Sequence, residues 1–190
     1  MATWNEARLR SELVAAGAEL SRLGLIRAGE GNFSARIEGD RFLLTRAGAA
    51  KRRLVAHSLA LCGCRSELPA GASSEGRMHQ AVYRAFPEVA AIVHAHPPAV
   101  LALVARGGWP DVSRLTEAAL LVGAVSRVEA LPPGSAELAE AVARALRGAT
   151  VAVMVGHGIV GVGATVEQAV ARVLTVDLLA GILLHAGGPR

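Results

Sequence analysis

The sequence predicts one α/β domain over residues 1–190, built on a largely antiparallel or mixed sheet with helices on its faces. Two hairpin patterns and a series of capped helical segments carry that prediction. In the first hairpin, residues 33–37 alternate between apolar and polar, Glu38-Gly39-Asp40 turns the chain, and residues 41–45 return. In the second, apolar β-type runs at 151–155 and 159–162 flank Gly156-His157-Gly158. At this length the chain can bury a full core, and with only 3% aromatic residues that core must be built from Val, Leu, Ala and Ile.

Taken in order, Thr3-Trp4-Asn5-Glu6 is a capping-box pattern. It opens a helix with Leu9, Leu13, Leu20 and Leu23 at roughly helical spacing, stopped by Gly24. A glycine-rich loop, Ala28-Gly29-Glu30-Gly31-Asn32, leads into the first hairpin. Residues 46–50 read as loop, and the stretch through Leu59-Ala60-Leu61 adds a strand before the Pro69-Ala70-Gly71 turn. Ser73 or Ser74 caps a helix over 75–86 that Pro87 ends. Residues 92–96 form an apolar strand, and Pro97-Pro98 leads into a helix through Arg106. Residues 115–122 fit a strand or a helix, and 127–131 read as a strand before Pro132-Pro133-Gly134. Ser135 caps a helix ending near Gly148, and Thr165-Val166-Glu167-Gln168 is a second capping box, opening a terminal helix of about twenty residues.

The chemistry gathers at the histidines. His94 and His96 are two apart on a strand, so they project from one face with Cα atoms ~7 Å apart. That spacing lets both imidazoles reach one metal at ~2.0–2.1 Å. A zinc site that does chemistry takes three protein ligands and keeps a fourth position open, and His157 is the candidate third. Its flanking glycines allow the backbone to approach closely. His57 and His185 show no metal spacing.

Composition narrows the rest. The net charge of +4 suits a phosphorylated substrate or nucleic acid. There is no basic run with interleaved aromatics, so no nucleic-acid partner is expected. Lys51 is the only lysine and stands beside Arg52 and Arg53 in a polar stretch, which argues against amine catalysis. Cys62 and Cys64 lack the spacing of a redox pair or zinc knuckle and read as free thiols. Residues 166–184 contain Glu167, Gln168, Arg172 and Asp177, too many polar groups for a membrane span. No signal-peptide pattern precedes Thr3, and a cytoplasmic protein is expected.

Four motifs in order, Gly31-Asn32-Phe33-Ser34-Ala35-Arg36, Ala72-Ser73-Ser74-Glu75 with His79, His94-Ala95-His96-Pro97 and Gly156-His157-Gly158, resemble those of the class II aldolase/adducin family. They are closest to its fuculose-phosphate aldolase branch. The resemblance implies a three-layer α/β/α fold with a largely antiparallel central sheet, and a homotetramer with active sites at subunit interfaces. It implies that His94, His96 and His157 ligate one Zn2+ per chain, or another divalent metal. Glu75 would be the acid/base residue, and Asn32, Gly48, Ser73 and Ser74 the phosphate-binding set. The implied activity is retro-aldol cleavage of a small phosphorylated ketose such as fuculose 1-phosphate through a metal-stabilised enediolate. A dehydratase or epimerase on the same metal site, and a non-catalytic adducin-like interaction module, are the alternatives. His79, one turn after Glu75, reads as a supporting residue rather than a ligand.

The implied roles suit their residue types. Zinc acts as a Lewis acid on carbonyl and hydroxyl oxygens, a carboxylate within reach moves the proton, and amides at a helix start suit a phosphate dianion. The chain departs from the family pattern at three places. Thr45-Arg46-Ala47-Gly48 lacks the hydroxyl that the family commonly places at Ala47, leaving Arg46 as the neighbouring candidate for that task. The sugar-phosphate aldolases carry a longer C-terminal tail than one ending at Arg190. Glu117 stands where the methylthioribulose-phosphate dehydratase branch places its acid/base glutamate, which makes it the alternative acid/base.

Overall fold

A computed structural model describes residues 6–187. Of the capping box read at the start of the chain only Glu6 is among the described residues; Thr3 lies outside them. Seven strands form one sheet: β1 (Asn32–Arg36), β2 (Arg41–Thr45), β3 (Leu59–Gly63), β4 (Ala91–Ala95), β5 (Val125–Val128), β6 (Val151–Met154) and β7 (Gly158–Gly163). Their order is β3-β2-β1-β4-β7-β6-β5. Every pairing is antiparallel except β5 with β6. That exception arises because β5 and β6 are joined through a helix, α5 (Ala136–Ala145), as a βαβ unit.

Helices cover both faces. On one, α1 (Glu6–Arg22), α3 (Pro98–Ala105), α4 (Thr116–Leu121) and α6 (Val166–His185) pack against Phe33, Ala35, Val93, Ala95, Val153 and Ile159. On the other, α2 (Gly76–Ala85) and α5 pack against Phe42, Leu44, Ile92, Ala152, Val160 and Val162. The alternation along β4 shows the rule: Val93 and Ala95 belong to the first layer, while Ile92 faces the second. Three layers were expected, and three are found.

Three local readings change. Residues 115–122 resolve as helix α4, because Leu115, Ala118 and Val122 turn toward the core at helical spacing while Leu120 and Leu121 stay exposed. The strand expected over 127–131 lies earlier, at Val125–Val128, since parallel pairing of Val125 with Val151 through Val128 with Met154 sets its register. Neither Ser73 nor Ser74 caps α2 with its side chain; Glu75 holds the N-cap position without a side-chain cap bond. Its carboxylate is drawn elsewhere. Ser135 and Thr165 do cap their helices, accepting from the amides of Leu138 and Gln168.

The stretch 166–184 is part of α6, whose Val166, Val170, Val173, Val176 and Leu179 are buried in the first layer. Among the described residues no helix is long and apolar enough to cross a membrane. Cys62 and Cys64 are free and buried, and burial is the main cause that raises both thiol pKa values, Cys62 to about 11.

Candidate metal centre

The site forms where the central strands end. In the register of the sheet Asn32 of β1 lies opposite His94 of β4, and Val160 of β7 lies on the other side of His94. His96 follows β4 directly, and its amide donates to the Leu25 carbonyl at 3.0 Å. His157 sits in the β6–β7 turn. Gly158 is what allows β7 to approach the end of β4 there, because a Cβ at this position would meet the Ala95 carbonyl oxygen and lie 2.8 Å from His96 Cδ2 and 3.1 Å from His94 Cε1. Of the two glycines flanking His157, Gly158 serves the close approach that the sequence indicated, whereas Gly156 has open space around it and serves the turn through its φ of +69.

The three imidazoles converge. His94 and His96 Nε2 are 3.0 Å apart, and one nitrogen from each ring fits within a group spanning 4.8 Å. His94 Nδ1 lies 2.9 Å from the Ile159 carbonyl oxygen, a contact that directs Nε2 into the group. Glu75 closes the arrangement: its Oε2 is 3.1 Å from His94 Nε2 and its Oε1 is 3.4 Å from His157 Nε2. Three buried side-chain atoms lack a hydrogen-bond partner among the described residues, and two of them, Glu75 Oε1 and His157 Nδ1, are here. Lone pairs facing one another, with an orphaned carboxylate oxygen beside them, are what a divalent cation would satisfy. The donor set therefore fits a metal.

Electrostatics point the same way. Burial by itself would raise the Glu75 carboxyl. The hydrogen bond and charge of His94, the Asn32 amide and the charge of His157 outweigh it and hold the group at about 2. Burial first, and then the neighbouring ring charges, push His96 down to about 4 and lower His157 as well, with the Glu75 charge opposing. Near neutral pH the site presents an ionised carboxylate beside neutral His96 and His157, the ligand form of those rings.

A cavity of about 220 Å³ opens at this end of the sheet, lined among others by Asn32, Gly48, Ser73, Ser74, Glu75, His96 and His157. His94 is fully buried behind them. The structure thus brings together every expected site residue except Glu117, which is exposed on α4 and does not line the cavity. Gly48 has φ +68 with open space where a side chain would project. Ser73 Oγ accepts from the Glu75 amide at 3.4 Å, and Ser74 is exposed at the rim. The Arg46 guanidinium, considered for the task vacated at Ala47, is turned to the carbonyls of His57 and Ala70 at 3.2 and 3.4 Å.

Lys51 corrects the reading of its stretch as simply polar. It is 2% exposed, lines the cavity, and donates from Nζ to Ala49 O at 2.8 Å and Gly29 O at 3.1 Å. It therefore ties the glycine loop to the loop that carries Gly48, and burial lowers its pKa. Its neighbours Arg52 and Arg53, both exposed, masked this in the sequence. Ser34 and Tyr83 carry no mark of a site residue by themselves; the signal is that Glu75 at the N-cap of α2, His79 and Tyr83 recur every four residues, opposite Asn32 and Ser34 at i and i+2 on β1.

Residues 11–184 match the model of the Class II Aldolase and Adducin N-terminal domain. The chain belongs to that family. Among its relatives, a 5-methylthioribulose-1-phosphate/5-deoxyribulose-1-phosphate aldolase of Rhodospirillum rubrum is 30% identical over 90% of this chain and 78% of its own. A 3,4-dihydroxyphthalate decarboxylase of Arthrobacter keyseri is 32% identical over 98% of this chain and 84% of its own. The L-fuculose-1-phosphate aldolase structure of Thermus thermophilus superposes with a TM-score of 0.84 at 31% identity, covering 97% of this chain and 99% of the other. Family membership agrees with the motif resemblance, and the spread of activities among the relatives leaves the reaction to be argued from the site.

Proposed function

We propose that this chain is a metal-dependent lyase that breaks a carbon–carbon bond in a small phosphorylated ketose by retro-aldol chemistry. The observation that carries the reading is the convergence of His94, His96 and His157 on one another beside an ionised, buried Glu75 whose Oε1 has no hydrogen-bond partner, at the wall of a cavity. The three histidines would hold one divalent ion, Zn2+ by the three-imidazole donor set, and that ion would supply Lewis acidity at carbonyl and hydroxyl oxygens. Glu75 is the proton carrier. Its low pKa keeps it ionised and ready to accept the hydroxyl proton, and to return it to carbon once the bond has broken. Gly48, Ser73 and Ser74 form the wall on which a phosphate would sit, with the Lys51 cation beside them. A homotetramer with sites at subunit interfaces belongs to the same reading, and light scattering tests it.

Decarboxylation is the second reading, favoured by the decarboxylase relative that matches nearly the whole chain. It needs the same events: a carbon–carbon bond breaks and its electron pair stays on the ketose fragment, with CO2 leaving in place of an aldehyde. Elemental analysis of purified protein tests the common ground. About one zinc per chain, lost in His94→Ala, is expected; no metal in either after zinc is offered would remove the basis for the proposal. Screening ketose phosphates and β-keto acids on the loaded protein then separates two carbonyl products from CO2. Activity unchanged in Glu75→Gln would strip Glu75 of its role.

A further inference from the structure

Behind Glu75 a line of polar side chains runs into the core. Asn32 Nδ2 donates to Glu75 Oε2 at 2.8 Å, and His79 Nε2 meets Asn32 Oδ1 at 2.5 Å. His79 Nδ1 meets Ser34 Oγ at 2.6 Å, and Ser34 Oγ meets the Tyr83 hydroxyl at 2.7 Å. All four residues behind Glu75 are nearly inaccessible: Asn32 is 3% exposed, Ser34 and His79 0%, and Tyr83 2%. Tyr83 is itself fixed, with the Phe42 ring centroid 5.0 Å away and the Arg36 guanidinium 4.6 Å above its ring.

The donor directions in this line are determined. An ionised carboxylate only accepts, so the Asn32 amide must present its NH2 to Glu75 and its carbonyl to His79. His79 must then carry its proton on Nε2, which makes Nδ1 an acceptor for the Ser34 hydroxyl. Ser34, having donated, accepts from Tyr83. Every bond points toward Glu75, the arrangement in which successive bonds polarise one another in the same sense. Reversal is barred, since a flipped Asn32 would set its carbonyl against the carboxylate.

We infer that Tyr83, Ser34, His79 and Asn32 form a one-way relay that fixes the Glu75 carboxylate by one oxygen, and that Asn32 is a positioning residue for Glu75. This rests on the reading of Glu75 as the proton carrier. The grip is asymmetric: Oε2 is held from behind by Asn32, while Oε1 is left without a hydrogen-bond partner on the cavity side. A core that needed only packing at 34, 79 and 83 would be served by apolar residues. A polar chain whose members satisfy one another and end on a single carboxylate oxygen sets an angle.

The test uses His79→Leu, His79→Gln and Tyr83→Phe in the full chain. Gln keeps an acceptor and a donor at the spacing of the two ring nitrogens; Leu keeps neither. At saturating zinc, His79→Leu is expected to lower kcat about 10- to 100-fold through a misplaced carboxylate, with KM unchanged and His79→Gln recovering most of the loss. Co2+ affinity, read by visible absorbance without any substrate, follows the same order, falling about 10- to 100-fold in His79→Leu. If His79→Leu does not fold, Tyr83→Phe and His79→Gln carry the comparison, with Tyr83→Phe the more impaired. Equal kcat and Co2+ affinity in the folded variants and the wild type would overturn the inference. Nitrogen NMR of the wild type is an independent check: a His79 proton on Nε2 supports the relay, and one on Nδ1 overturns it, whether or not the chain cleaves any ketose phosphate. A protein with no lyase activity but with the Nε2 proton and the Co2+ order intact would sink the proposed reaction and leave the relay standing.

Discussion

The two glycines beside His157 make opposite demands, and substituting each in turn separates them. Gly156 adopts φ +69 with nothing within 4 Å of a built Cβ. Its replacement by Ala carries the left-handed backbone cost of about 1–2 kcal/mol and touches no ligand. Gly158 has no such φ, but its added Cβ would strike the Ala95 carbonyl oxygen and lie 2.8 Å from His96 Cδ2 and 3.1 Å from His94 Cε1. The backbone oxygen belongs to the β4–β7 pairing and cannot swing aside, so β7 must move away from two rings of the histidine group. Overpacking of this kind costs roughly 1–3 kcal/mol, or about 2–12 °C in Tm for a chain of this size. Both variants should melt lower, and Tm alone will not tell them apart. Zinc affinity will. Gly158→Ala should weaken it by about 10-fold or more, as disturbed ligand supports do, and Gly156→Ala should leave it at the wild-type value. Competition titration with a chromogenic chelator reads both. A folded Gly158→Ala protein that binds zinc as tightly as the wild type would refute the claim that close approach at this glycine builds the site.

Three further outcomes follow. The metal-free protein should lose stability as pH falls, because Glu75, His79 and His96 all have folded pKa values below their ordinary ones, at about 2, 3 and 4. The unfolded chain then binds more protons, so stability present above pH ~6.5 declines through the histidine window and is lost further between pH ~4.5 and ~2 as Glu75 protonates; a urea midpoint that is flat from pH 7 to 3 would contradict this. Lys51→Met should destabilise by about 1–3 kcal/mol, since the Gly29 and Ala49 carbonyls lose their shared donor. It should also weaken inorganic phosphate binding in calorimetry, whereas a variant as stable as the wild type would show that the ammonium costs as much to bury as its bonds return. Ser135→Ala should cost about 0.5–2 kcal/mol through loss of the Leu138 amide cap, measured by denaturant titration, and no change would mean that α5 is held by packing alone.

Much of this architecture could be read from residue order, and the limits have physical causes. The first hairpin was legible because period-two alternation, a Glu-Gly-Asp turn and return alternation are all local. β5 was misplaced because a parallel strand takes its register from a distant partner, here Val151–Met154, and Leu131 carries no mark that it lies outside the ladder. Helix α4 was ambiguous because Leu120 and Leu121 are apolar yet exposed, which blurs helical periodicity. Ser73 and Ser74 look like caps by type. The helix start is nevertheless taken by Glu75, whose carboxylate is drawn to His94 and Asn32, long-range partners that no local rule anticipates. The histidines were legible in a different way, since metal chemistry demands particular residue types and the strand period places two of them on one face. Lys51 was hidden by composition: next to Arg52 and Arg53 it reads as a solvated charge, and only the approach of the Gly29 and Ala49 carbonyls reveals a buried ammonium.

The placement of Glu75 explains why the family's histidine motif alone does not choose among reactions. Three ligands and an ionised carboxylate would serve any step that leaves an electron pair on carbon beside a polarised oxygen, whether an aldehyde or CO2 departs. What differs between those outcomes is the group that must be held while it leaves, and that falls to the opposite wall of the cavity. There this chain has Ala47 without a hydroxyl, Arg46 turned to backbone carbonyls, and a buried Lys51 bridging two loops. On the proposed reading, an anion in this cavity meets a fixed ammonium-supported loop rather than a ring of hydroxyls. Exchanging Ala47 for Thr is therefore the substitution with the most to reveal about substrate choice: tighter inorganic phosphate binding would place the phosphate at Gly48, and unchanged binding would place the anion nearer Ser73 and Ser74.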